Sequence, residues 1–506
     1  MASTFMGVAI ANTGLNASQN GLATTTNNIS NMNTTGYSRQ VVNQVSIGPA
    51  AVYSSSYVGN GTEVTSVDRV SSFRLNQKYW SQNGELGYWD TTSSYLEEIE
   101  TTAFDVSDED TSFGDLLDTF YSSMETLSTD PSSAEDRTAV VQAAANVCSA
   151  LNSTSSELSS LRSDINTEVK STVDQINSYA EQLASLNKQI QVAQASGASA
   201  NELEDQRDTL INKLSNLTDV TVTETTVGKA ADGSDLTTYT VTVNGGTLVS
   251  GSNYNQLVTT SDSEGMYDIT WSNTGAAFDA GDSGTLSAYL QLRDGDSADS
   301  KGIVYYMNQL DEFAQTFAKA FNEGLDSTTA DGHAEGCGLD GSTGTRFFTY
   351  TDSDGNAVSS DDFVSGGLDY SKITAANISV SSTVSEDTDK IAASDTSGED
   401  ENSNILTKLI DICEDGAMFG TKTTAEGFYN SIISTLGTQA SYASKQTTIQ
   451  QNITDYLDDC RSSVSGVSTN EETANLTVYQ QAYEASAAAL STWSEIYETT
   501  INMVNT

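Results

Sequence analysis

FMGVAIANTGLNASQNGLATTTNNIS, residues 5–30, decides how this 506-residue chain folds. Within it Phe5, Val8, Asn12, Leu15, Gln19, Leu22, Thr26 and Ile29 are separated by alternating gaps of three and four. That spacing is a heptad seam along one side of a helix, with polar members between the apolar ones. The remaining positions are mostly Ala, Ser, Thr, Asn and Gly, and no Asp, Glu, Lys or Arg occurs before Arg39. A helix of roughly 30 residues would reach about 45 Å, but side chains this small and polar cannot keep it folded alone. The segment needs partner helices.

The other end of the chain supplies one. Leu476, Tyr479, Tyr483, Ser486, Leu490, Trp493, Tyr497, Thr500 and Val504 repeat the same alternation without a slip. Thr469 or Asn470, followed by Glu471 and Glu472, reads as an N-terminal cap with acid in the first turn. Two heptad helices at opposite ends, one of them uncharged, predict that the ends pair with each other. An uncharged outer face also suits packing against neighbouring subunits, since little charge has to be desolvated. The apolar members Phe5, Val8, Leu15, Leu22, Ile29, Leu476, Tyr479, Tyr483, Leu490, Trp493, Tyr497 and Val504 form the predicted interaction set.

Only two prolines, Pro49 and Pro131, interrupt the chain, so long helices are permitted between the ends. Residues 85–125 and 134–195 read as helical. In the second stretch Leu158, Leu161, Ile165, Val169, Val173, Ile176, Ala180, Leu183, Leu186 and Ile190 keep one face apolar. SGAS at 196–199 breaks this run, and Ser199 with Glu202 resembles a capping box that restarts a helix through Leu217. From Val220 the period changes to two, in VTVTETTV at 220–227 and TYTVTVNGGTLVSG at 238–251, where Asn244-Gly245 signals a hairpin. YDITW at 267–271 adds a strand. Helix returns over 286–325, with Ile303, Met307, Leu310, Phe313, Phe317 and Phe321 as a bulky stripe. Residues 331–401 hold 15 acidic against 3 basic side chains, a loop-rich, partly β excursion. Helices at 402–412 and 425–465 lead into the last one.

The predicted fold is therefore mainly α with inserted β. Paired coiled-coil-like terminal helices (1–60 and 465–506) join an elongated helical-bundle domain (61–219, 286–330 and 402–464). An outer β-rich domain (220–285) is inserted, and the acidic excursion (331–401) packs on the helical part.

Bulk chemistry excludes several function classes. With 69 acidic against 21 basic residues, the net charge of −48 argues against nucleic-acid binding and against docking on an anionic membrane. No stretch is long and apolar enough to span a membrane. The start, MASTFMGVAIANTG, lacks the basic and apolar regions of a conventional signal peptide. Cys148, Cys337, Cys413 and Cys460 are scattered without CxxC spacing, which predicts buried thiols and no disulfide. The sole histidine, His333 in DGHAEGCGLDG, has Cys337 four residues on but no second ligand pair for zinc, so it reads as an exposed loop residue. Asp352, Asp354 and Gly355 lack the remaining ligands of a calcium loop and read as a turn. Neither a phosphate-binding glycine loop nor a nucleophile elbow is present, so no catalytic, cofactor or metal site is expected.

Four segments carry a resemblance. NISNMNTTGYSRQ at 28–40 resembles the Asn-rich signature of flagellar rod, hook and hook-associated proteins, where a terminal helix ends in a Thr–Gly–Tyr turn. NLTVYQQAYEASAAAL at 475–490 resembles the matching C-terminal signature, centred on Tyr479, Gln480, Gln481, Ala482 and Tyr483. NELEDQRDTLINKLSNL at 201–217, centred on Asp205, Gln206, Arg207 and Asp208, resembles a stretch of the hook-associated protein 1 family. GTLSAYLQLRD at 284–294, with the helix to Phe321-Asn322 and the turn before Arg346-Phe347-Phe348, is similar to the same family. The likeness keeps its order along nearly the whole chain and is weakest over 221–285 and 350–400. The family's usual Asn–Leu–Asp–Glu–Glu before the last helix is replaced by Ser468-Thr469-Asn470-Glu471-Glu472, and Trp493 is bulkier than usual at its seam position.

The resemblance implies a structural, non-enzymatic subunit without cofactors, required for filament assembly. It further implies export through the flagellar type III apparatus without a cleaved signal peptide, and an extracellular place in the flagellum. A ring of about eleven copies would join hook to filament, touching the hook protein and the second hook–filament junction protein. An export chaperone would hold the C-terminal helices beforehand, and the inserted β domain would lie outermost. Two alternatives stay open. One is another axial subunit, hook or filament protein, against which residues 201–217 count. The other is a flagellar subunit with an enzymatic insertion, for which no catalytic set is found.

Overall fold

A computed structural model of the chain describes residues 6–48, 59–104, 112–229, 235–325, 331–414, 418–419 and 423–504. Helix α1 (Met6–Ser30) leads into a hairpin of β1 (Gln40–Ser46) and β2 (Thr62–Arg69). Helices α2 (Phe73–Thr102), α3 (Phe113–Thr129), α4 (Ala134–Ala195) and α5 (Asn201–Leu217) follow. Then come β3 (Val220–Lys229), β4 (Asp235–Val243), β5 (Gly246–Ser250), β6 (Asn253–Tyr254), β7 (Leu257–Ser261) and β8 (Tyr267–Trp271). Helices α6 (Thr285–Asp294) and α7 (Ile303–Glu323) enter an irregular stretch containing β9 (Phe348–Tyr350), α8 (Ser360–Ser365), β10 (Ile378–Val380) and α9 (Ser382–Glu386). Helices α10 (Asn404–Glu414), α11 (Ala425–Ser465) and α12 (Thr469–Val504) close the chain. The mainly α class with inserted antiparallel β is the one the sequence predicts.

Helix α4 is the spine. Its 62 residues contain neither Gly nor Pro, so the backbone runs unbroken for about 93 Å. The Ser133 hydroxyl caps it by accepting from the Asp136 N–H, with Glu135 and Asp136 in the first turn. All ten predicted apolar positions from Leu158 to Ile190 are buried. Leu158, Leu161 and Ile165 join one core, and Val169, Val173, Ile176, Ala180 and Leu183 join a second. The N-terminal half packs with α3, α7 and α10 around Phe120, Phe313, Phe317, Phe347 and Phe348. The C-terminal half packs with Trp80, Ile211, Leu214 and the inner faces of β3–β8.

Asparagines along α4 satisfy backbone groups that these two cores would otherwise strand. Asn152 donates to the Ile378 carbonyl at 3.2 Å, and Asn166 accepts from the Tyr267 N–H at 2.8 Å. Asn177 both accepts from the Leu257 N–H and donates to its carbonyl, each at 2.8 Å. Asn187 donates to the Gly251 carbonyl at 3.0 Å. This order corrects one expectation. The β segments sit midway along the spine, and the end farthest from the terminal helices carries residues 331–401.

Other differences have local causes. The helix predicted over 286–325 is two helices, because the chain doubles back between Gly295 and Gly302, where the Gly302 N–H donates to the Gly295 carbonyl at 2.9 Å. Ser199 is not a cap: α5 starts at Asn201, and Glu202 instead accepts from the Gln40 side chain at 2.9 Å. The last helix is capped one residue earlier than expected, with the Glu471 N–H 3.5 Å from the Ser468 hydroxyl. Hairpin β1–β2 went unread because Val41 and Val45 face outward, 39% and 49% exposed, and blur the alternation. Asn244 and Gly245 take positive φ, 42° and 82°, at the predicted β4–β5 turn. Asp352 forms a turn as predicted, its carboxylate accepting from the Asp354 and Asn356 N–H groups at 2.9 Å.

His333 is the largest local correction. It is fully buried, stacked near Phe321 and Phe347. Its Nδ1 donates to the Thr345 carbonyl at 2.7 Å and its Nε2 accepts from the Ala392 N–H at 2.9 Å, which requires the neutral ring. Burial, with Arg137 and Arg346 nearby, pushes its pKa down to about 4. The folded value lies below the unfolded one, so this contribution is complete above pH 6.5 and is lost as pH falls through 4. About 3 kcal/mol is at stake. Unfolding titrations from pH 7 to 4 are expected to show this slope, and His333→Gln to flatten it. An identical slope in the variant would refute the assignment.

All four cysteines are described, and no disulfide links them; Cys148, Cys337 and Cys413 are buried. Among the described residues no group of His, Cys, Asp or Glu is arranged to hold a metal ion.

Candidate functional site

Helices α1 and α12 pack antiparallel, in steps of seven on both. Gly7 faces Trp493, Gly14 faces Ser486, Gly21 faces Tyr479, and Asn28 faces Glu472. A Cβ at Gly7 would lie 2.2 Å from the Trp493 ring, and one at Gly21 2.5 Å from the Tyr479 ring. Glycine there lets two aromatic side chains lie directly on the α1 backbone, so the helices approach closely.

The buried face of α1 is accordingly Ala11, Ala17, Ser18, Gly21, Thr24, Thr25 and Asn28, one residue back from the predicted seam. Val8, Leu15, Leu22 and Ile29 stand half-buried on the flank of this contact. On α12, Tyr479, Ser486 and Trp493 lie against α1; Leu476, Tyr483, Leu490 and Tyr497 are half-buried, and Trp493 is 39% exposed. Phe5 and the side chain of Val504 lie outside the described residues.

A polar cluster closes the seam. Asn28 is 1% exposed and Glu472 2%. The Asn28 amide donates to Glu472 at 3.1 Å and to the Gln40 carbonyl at 2.9 Å. Its oxygen accepts from the Gln40 N–H and from the Tyr37 hydroxyl. Burial, then the charges of Glu202, Asp205 and Glu472, push the Tyr37 hydroxyl up to about 12, so it remains a donor. A slide by one heptad would set Asn28 against Tyr479 or, in the other direction, against Ser465, beyond the start of α12, and either strands Glu472. The cluster therefore pins the register, as single buried polar groups do in coiled coils.

The same loop is tied to the spine by α5. The Ser38 N–H donates to Asp205 at 2.9 Å. Arg69, at the end of β2, reaches Glu204, Asp205 and Asp208 at 2.8, 2.9 and 2.8 Å. Burial opposes the Arg69 charge, but Asp208 and Glu204 outweigh it and keep the guanidinium protonated. Burial likewise pushes the Asp205 carboxyl up, against the opposing bonds from Ser38 and Arg69. Arg207 turns inward and stacks 3.4 Å from the Tyr239 ring, joining α5 to the β4 strand. From the other side, the Arg39 N–H donates to the Ser465 carbonyl and its guanidinium pairs with Glu471, both at 2.8 Å. Residues 28–40, 201–208 and 465–472 thus form one joint between the terminal pair and the spine.

Sequence reasoning missed Asn28, Arg69 and Glu472 as members of this joint. It also missed the glycines, although Gly7, Gly14 and Gly21 recur at the heptad interval and could have been read.

A flagellar basal body rod family model matches residues 9–37, and the C-terminal model of the basal body rod FlgEFG proteins matches 461–503. These two matches coincide with α1 and its turn and with α12, and they set the chain among the axial proteins of the flagellum. The FlgK helical-domain model, of flagellar hook-associated protein, matches residues 97–348. Flagellar hook-associated protein 1 of Bacillus subtilis is 30% identical over 99% of both chains. Its counterparts in Salmonella typhimurium and Escherichia coli are 28% and 26% identical over 97% of this chain, and 99% and 98% of theirs. The flagellar hook junction protein FlgK from Burkholderia pseudomallei shares the fold, with TM-score 0.58 and 16% identity, over 78% of this chain and all of that one. The chain belongs to the flagellar hook-associated protein 1 family. It is a structural subunit of the external axial part of the bacterial flagellum.

Proposed function

We propose that this chain forms the junction between hook and filament and is required for the filament to assemble. The observation that carries the reading is the uncharged terminal arm. Helix α1 holds no ionisable side chain, its glycine face is filled by α12, and Val8, Leu15, Leu22 and Ile29 are left only half covered beside it. Such a flank can be buried against a neighbouring subunit without desolvating charge.

In this reading about eleven copies close a head-to-tail ring, with the interaction set from Phe5 to Val504 as the axial packing surface. The hook protein lies on one side and the second junction protein on the other. The chain leaves the cell through the type III apparatus without a cleaved leader, with a chaperone on the last heptads of α12 until then. The role is mechanical and not enzymatic. Residues 1–60 and 465–506 form the polymerisation domain. Residues 61–219, 286–330 and 402–464 form the helical domain that carries the 220–285 and 331–401 insertions. Cells without the chain are expected to build hooks but no filaments, and residues 1–470 alone are expected not to rescue them; electron microscopy reads both.

A further inference from the structure

We infer that the spine carries a second self-contact, along one flank of α11, whose occupant is another copy of this chain. The inference rests on the assembly reading above. Tyr442, Ile449, Ile453, Tyr456, Cys460 and Val464 recur at helical spacing on one side of α11. The first four are 55%, 49%, 36% and 67% exposed, and Val464 is 38% exposed. This stripe lies about 100° around the helix from Ala443 and Thr454, which are buried on the same helix. It runs for about 33 Å. At its upper end it opens into a groove of about 910 Å³ between α2, α11 and the α6–α7 turn, where the Trp89 ring meets Tyr442 at 5.5 Å.

Charge identifies the occupant. The chain carries 69 acidic residues, yet residues 427–454, which hold the upper half of the stripe, contain none, and Lys445 is the only lysine or arginine there; Asp455, Asp458 and Asp459 flank the lower half. Identical copies with a net charge of −48 repel each other wherever their acidic surfaces meet. Contact between copies is therefore confined to faces without acid. The terminal α1 arm meets that condition, and so does the upper part of this flank, from Tyr442 to Ile453. An apolar stripe of this length left in water would be a liability for a secreted monomer, whereas a neighbouring copy covers it without charge repulsion.

The test uses the full chain in flagellated cells, with p-benzoylphenylalanine in place of Ile453 or, on the opposite flank, of Thr448. Irradiation is expected to give a product of two copies from position 453 and none from 448. Adding Ile449→Asp should lower that product by about tenfold or more, with the unfolding midpoint of the purified chain unchanged. A chain present in isolated flagella whose position 453 links only to a different axial protein, or to nothing, overturns the inference. A chain absent from flagella overturns the assembly reading instead, and the inference with it.

Discussion

A valine at position 21 is expected to separate the two ends of the chain while leaving the spine folded. The Cβ alone would sit 2.5 Å from Cδ1 and Cε1 of Tyr479 and 2.7 Å from its Cγ. The clash reaches Cγ, which turning the ring about the Cβ–Cγ bond does not move, so Tyr479 must leave its rotamer or α12 must move away. Overpacking of this kind costs about 1–3 kcal/mol, or roughly 5- to 150-fold in the pairing equilibrium. The rate of disulfide formation between Gly14→Cys and Ser486→Cys, which face each other in the seam, measures the effect. Gly21→Val should slow it by that factor, and Tyr479→Ala in the same chain should restore it. A rate unchanged by Gly21→Val would show that the glycines do not set the contact. Gly14→Ala should do far less, since its Cβ meets only the small Ser486 hydroxyl at 3.0 Å.

The second large effect lies at Arg69. Its side chain is 8% exposed, and those of Asp205 and Asp208 are 8% and 9% exposed. Arg69→Leu leaves these carboxylates and Glu204 facing one another without a counter-ion. Removing one partner of a buried ionic group costs about 3–5 kcal/mol. Urea unfolding of the full chain is expected to show that loss, and Asp205→Asn with Asp208→Asn added to Arg69→Leu should recover most of it. A loss below about 1 kcal/mol would place the cluster among surface ion pairs of little consequence. The joint should loosen with it, because Asp205 also holds the Ser38 N–H.

How much of this was legible in the sequence depends on the kind of signal. The period of α1 was readable and its face was not. Hydrophobicity ranks Val8, Leu15 and Leu22 above glycine, whereas close helix approach selects Gly7, Gly14 and Gly21 one residue away. On α12 the face was readable because there the bulky residues do the filling. The spine was readable because α4 carries unbroken apolar spacing and no Gly or Pro. Arg69 and its partners were not, since they lie more than 130 residues apart and charged side chains are ordinarily read as solvated. His333 misled for a related reason. Its polar, glycine-rich neighbours suggest an exposed loop, and only the distant Phe321, Phe347 and Ala392 bury it. Residues 201–217 were singled out by resemblance alone. The geometry gives the physical reason, because Asp205, Arg207 and Asp208 tie the turn after α1 and the β sheet to one helix.

Electron microscopy of cells from which this chain has been removed tests the junction role most directly. The account predicts hooks of normal length with bare tips and filament protein shed into the medium. The full chain should restore filaments, and residues 1–470, which lack nearly all of α12, should not. Filaments of ordinary length on cells that have no copy of the chain, or only residues 1–470, would contradict it.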